Sequence, residues 1–77
     1  MERMKRLIQQ VFKATDQFGC VVTRLEAEGS QVRATCNYGG TPFVFTHNDG
    51  IAPADVLLSI TEAHQRAVRL LHANARV

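Results

Sequence analysis

Hydrophobic and polar positions fall into five periodic blocks. Over residues 2–17, Met4, Leu7, Ile8, Val11 and Thr15 recur at helical spacing, with Phe12 flanking the stripe. Arg3, Lys5, Arg6, Gln9, Gln10, Lys13 and Gln17 occupy the opposite side. This predicts an amphipathic first helix, stopped at Phe18-Gly19 by a glycine free to adopt the left-handed conformation. Residues 20–27 alternate. Val21, Thr23, Leu25 and Ala27 share one side, and Val22, Arg24 and Glu26 the other. Because the charged set must face water, the first set is assigned to the core.

The stretch from Gln31 to His47, QVRATCNYGGTPFVFTH, carries the most specific signal. Two β-rich runs flank Gly39-Gly40, which suits a two-residue hairpin turn requiring positive φ. Pairing Tyr38 with Thr41 sets Cys36 opposite Phe43, Ala34 opposite Phe45 and Val32 opposite His47. Side chains alternate across a strand. One face therefore holds Val32, Ala34, Cys36, Tyr38, Phe43 and Phe45. The other holds Arg33, Thr35, Asn37, Pro42, Val44 and Thr46. A slip by one residue would drive Arg33 into the core, so the pattern fixes the register. Glu28-Gly29-Ser30 turns the first strand into the second.

A second helix is predicted from Pro53, which suits the first helical position, to about Ala73. Asp55 complements the positive helix end, and Ile51 with Val56 has staple spacing. Val56, Leu57, Ile60, Ala63, His64, Ala67, Val68, Leu70 and Leu71 form a broad apolar side. The expected architecture is α+β: a two-layer α-β-β-β-α domain of residues 1–77, with both helices packed on one face of a three-stranded antiparallel sheet. The second helix, roughly 30 Å long, outruns strands of about 23 Å. Leu70, Leu71 and Val77 are therefore expected to lack cover within the chain and to form a homodimer interface.

Composition narrows the class. With 77 residues, 45% hydrophobic and 21% charged, the chain is sized for one small domain. No apolar run approaches the ~20 residues of a membrane span, and no signal-type segment follows the basic start, so a cytoplasmic location is expected. The net charge of +2 permits an acidic or nucleic-acid partner without requiring one. Two cysteines, Cys20 and Cys36, are too few for a secreted disulfide framework. The alternation assigns them to opposite faces, so both are expected to be reduced and unbridged.

Candidate chemistry is sparse. Cys36 and His47 invite a nucleophile–base pair, but the register separates them by four residues, roughly 13 Å, against a hydrogen-bond reach of about 3 Å. His47, His64 and His72 lack the short spacings of a zinc site. Asn48-Asp49-Gly50 reads as a turn without the rest of a calcium loop. No catalytic residue, cofactor or metal is expected. The cations Arg3, Lys5 and Arg6 oppose the macrodipole at the start of a helix, which points to an acidic partner. Arg24 and Arg33 on the open sheet face, with Tyr38 at the hairpin tip, complete the candidate partner-binding set.

The helix–strand–strand–strand–helix order, with both helices on one sheet face, resembles the double-stranded-RNA-binding domain. That resemblance implies RNA contacts from the first helix, the loop between the first two strands and a lysine cluster at the start of the second helix. Here those last two positions read Glu28-Gly29-Ser30 and Ala52-Pro53-Ala54-Asp55, with no lysine. The resemblance covers the order of elements. The leading expectation is a small non-enzymatic regulator or inhibitor, of the kind phage and mobile-element genes encode, that masks a surface of another protein or of a nucleic-acid-handling complex. The alternative is a nucleic-acid-binding module using the first-helix cations and the open sheet face.

Overall fold

The computed structural model describes residues 2–75, with side chains described through Ala73. Element order is α1 (Glu2–Phe18), β1 (Val21–Glu28), β2 (Gln31–Tyr38), β3 (Thr41–Asn48) and α2 (Pro53–Ala75). The strands form one antiparallel sheet in the order β1-β2-β3. The fold is thus the expected α+β arrangement of a helix, three strands and a helix.

The β2–β3 hairpin has the predicted register throughout, from Tyr38↔Thr41 through Cys36↔Phe43 and Ala34↔Phe45 to Val32↔His47. Gly39 and Gly40 both take positive φ, 58° and 83°. A β-carbon would be strained at either. The Asn37 carboxamide oxygen accepts from the Gly40 N–H at 3.2 Å and braces the turn.

The core lies between the inner sheet face and both helices. α1 contributes Leu7, Val11 and Ala14; the sheet contributes Val32, Ala34, Cys36, Phe43 and Phe45; α2 contributes Val56, Ile60 and Ala63. The α1 stripe is rotated slightly from its sequence reading. Ala14 is buried, Met4 and Ile8 are partly buried, and Phe12 is exposed. Thr15 is buried because its hydroxyl donates to the Phe12 carbonyl at 3.0 Å.

β1 departs from expectation. The register shifts between Val22 and Arg24, so Thr23 forms a bulge. An extra residue in a strand resets which side chains face inward. Beyond the bulge, Leu25 pairs with Ala34 and packs on the core as predicted, whereas Ala27, opposite Val32, is exposed. Before it, Val22 pairs with Cys36 and packs on the core, while Val21 is exposed. Cys20 shares the inner side with Val22 and also packs on the core. The assignment of Val21, Thr23 and Ala27 to the core, and of the two cysteines to opposite faces, is corrected. Both thiols are free.

His47, set by the register opposite the core residue Val32, is wholly buried. Its Nε2 lies 2.7 Å from the Gln10 side-chain oxygen, and Nδ1 has no partner. With Nε2–H donating, Nδ1 is a bare acceptor inside the core. Burial pushes the imidazole pKa down, and Asp49 offsets part of that shift.

Candidate interaction surface

α2 splits into two halves. From Pro53 to Ala67 it lies over the sheet, mainly β3, with Val56, Ile60 and Ala63 sealed beneath it. His64 marks where the sheet ends, because its ring meets Tyr38 at the hairpin tip at a centroid distance of 5.2 Å. Among the described side chains, none from Val68 to Ala73 belongs to the core. At 1.5 Å per residue, Val68–Ala75 project about 12 Å past the block. The molecule's longest dimension is accordingly 46 Å against 24 and 21 Å. Leu70 and Leu71 stand 61% and 48% exposed on this stalk. They continue the helix side that Ile60, Ala63 and Ala67 turn to the core. Nothing within the described chain lies beneath them. The expected overhang of about one turn is in fact about two.

A ring cluster closes the block at the base of the stalk. Phe18 meets Tyr38 at 4.8 Å, His64 at 5.7 Å and Phe43 at 6.3 Å, and His64 meets Phe43 at 5.5 Å. These are tilted and edge-on arrangements favoured by ring quadrupoles. Tyr38 is 42% exposed, so one edge of a rigidly seated aromatic faces solvent beside the stalk. The sequence identified Tyr38 but missed Phe18 as its support, since Phe18 read only as the end of α1.

The predicted cations do not converge. Arg3 Nε contacts Asp49 Oδ2 at 2.8 Å, tying the start of α1 to the β3–α2 turn. Arg24 pairs with Glu26 at 3.4 Å and Arg33 with Glu28 at 3.5 Å. On the open face each arginine is therefore answered by an acid of β1. That face carries Val21, Arg24, Glu26, Arg33, Thr35, Asn37, Val44 and Thr46, with Val21 in the place expected of Val22. Lys5 and Arg6 are exposed and make no salt bridge among the described residues. The i,i+2 spacing of Arg24 and Glu26, same-sided in a strand, was the available signal for that pairing. Val77 lies outside the described residues.

Cys36 and His47 stay four residues apart along the sheet, opposite Phe43 and Val32 respectively. Among the described residues no three His, Cys, Asp or Glu side chains gather to hold a metal ion, and no helix is long and apolar enough to cross a membrane. Exposed Phe12, Leu57 and Leu58 were not identified from sequence as surface groups; Leu57 was assigned to the buried stripe. No protein-family model, curated protein or solved structure matches the chain.

Proposed function

We propose that this protein is a non-enzymatic protein-binding module that works as a homodimer through the α2 stalk. The observation that supports this reading is the uncovered continuation of the α2 apolar side in Leu70 and Leu71. The stalk extends a helix already nucleated over the sheet, so it needs no partner to form, but a surface laid against it would cover its leucines and add to its order. A second copy offers the same patch under two-fold symmetry. Four half-exposed leucines are a small patch to set against the cost of association, so the expected dimer is weak, with a dissociation constant near millimolar.

Tyr38 at the stalk base is the aromatic anchor for the dimer or for the protein it meets. In this reading the chain acts as a regulator or inhibitor by masking a surface of that protein, as compact phage and mobile-element products do. The open sheet face contributes shape rather than charge, because its arginines are already paired. Light scattering up to about 1 mM protein is the test. A mass rising toward twice that of the monomer, and returning to monomer in Leu70→Glu/Leu71→Glu, supports the reading. A strict monomer throughout rejects it.

Exposed Lys5, Arg6 and Lys13 favour one second reading, a nucleic-acid contact along α1. Binding through phosphates must weaken steeply with salt. A gel shift at low salt that is lost in Lys5→Ala/Arg6→Ala supports it, and no shift at micromolar protein excludes it.

A further inference from the structure

The bulge at Thr23 has a chemical result. It turns Cys20 to the inner side of the sheet, two residues from Val22, which pairs directly with Cys36. Cys20 and Cys36 thereby become diagonal neighbours on adjacent strands, Cys36 within the core and Cys20 packed against it. Cys20 is fixed from its other side by the end of α1. Its N–H donates to the Thr15 carbonyl at 3.1 Å, and its thiol lies 3.8 Å from the same oxygen. The two thiols differ in access. Cys36 is completely buried. Cys20 is partly exposed and lines a groove of about 480 Å³ between α1 and β1 with Phe12, Lys13, Thr15, Asp16 and Val22.

We propose that Cys20 and Cys36 form an oxidisable dithiol, closed to an intramolecular disulfide by a low-molecular-weight disulfide entering the groove beside Cys20. The Cys20 thiolate attacks one sulfur of the reagent, forming a mixed disulfide and expelling one reagent thiolate. The Cys36 thiolate then attacks the Cys20 sulfur and expels the second. The protein loses two protons and two electrons, and the reagent is reduced to two thiols. The bond staples the start of β1 to β2 and so ties down the junction where α1 ends.

Burial tunes the rate. It pushes the Cys36 thiol up to about 12 and raises the Cys20 thiol as well, with the neighbouring thiol adding to the effect on Cys36. Both are protonated at neutral pH. Exchange proceeds through thiolate, so closure is slow at neutral pH and accelerates about tenfold per pH unit below the thiol pKa. The site is thus a slow, condition-dependent staple rather than a fast sensor.

The test treats the folded, reduced protein with oxidised glutathione and follows intact mass. The expected product is a monomer lighter by two hydrogens. Its thermal midpoint should lie about 10 °C above that of the reduced protein. Cys36→Ala should stop at a glutathione adduct on Cys20, and Cys20→Ser should form neither adduct nor bridge. If a variant fails to fold, peptide mapping of the oxidised wild type locates the bond. Two free thiols persisting in the folded protein, cross-linking between chains, or a bridge that lowers the midpoint would each overturn the proposal.

Discussion

The two halves of α2 are written in the same language and meet different fates. Up to Ala67 the apolar side faces a sheet, and Val56, Ile60 and Ala63 disappear beneath it. Beyond Ala67 the same side continues into Leu70 and Leu71 and faces nothing within the described chain. Amphipathic periodicity therefore specifies that a helix has a face to cover. The length of the neighbouring strands decides how much of it the chain covers for itself.

Substitution on the covered half should have the largest effect. Ile60→Ala leaves a cavity in a sealed position and is expected to cost about 3 kcal/mol. That is a large share of the roughly 4–12 kcal/mol available to a domain of this size. The thermal midpoint should fall by about 15 °C. Leu70→Ala, a comparable truncation on the projecting half, should change the stability of the dilute protein by less than about 0.5 kcal/mol. Equal losses at both positions would erase the distinction between the halves.

Association should show the inverse ranking. Placing two carboxylates on each stalk, in Leu70→Glu/Leu71→Glu, is expected to weaken self-association by about 100-fold or more. Sedimentation equilibrium measures this, and a dimer surviving the double substitution would move the interface elsewhere, most directly to the open sheet face.

A smaller effect belongs to β3, in the block that the covered half packs on. His47 is buried, and its folded pKa lies below the ordinary value of 6.5. Above that value both folded and unfolded chains hold it neutral. As pH falls through about 6.5 the unfolded chain takes up the proton first, and stability is lost until the folded pKa is reached. The slope cannot exceed about 1.4 kcal/mol per pH unit. Chemical denaturation between about pH 7 and about pH 5 should show it, and His47→Gln should flatten it. An unchanged slope in that variant would assign the effect to other groups.

The smallest effect is expected at Arg3. Its contact with Asp49 is short but well exposed, so Arg3→Ala should cost no more than about 0.5 kcal/mol. A midpoint drop of more than about 5 °C would show that this pair clamps α1 to the β3–α2 turn.

Legibility followed contrast. In β2–β3 every buried position except His47 is apolar, the one charged position, Arg33, is outward, and the glycine pair fixes the turn, so one register satisfied the pattern. The start of β1 reads Val21-Val22-Thr23, where neighbouring residues differ little in polarity and either parity is acceptable. The bulge there was invisible in sequence, and with it the approach of Cys20 to Cys36. The burial of His47 was not legible for a related reason. Its burial depends on Gln10, thirty-seven positions away, a contact no local pattern encodes. Neutralisation of Arg24 and Arg33 likewise depends on which acids of β1 fall beside them. Leu70 and Leu71 were read correctly as uncovered because a length comparison between helix and strand needs no side-chain detail.

Self-association at the stalk would order the projecting half of α2. Hydrogen exchange across α2, followed over a series of protein concentrations, tests it most directly. Amides from Val56 to Ala67 should be protected at every concentration. Those from Val68 to Ala75 should gain protection as concentration passes the dissociation constant. Rapid exchange beyond Ala67 that never responds to concentration, or full protection there in a dilute monomer, would contradict it.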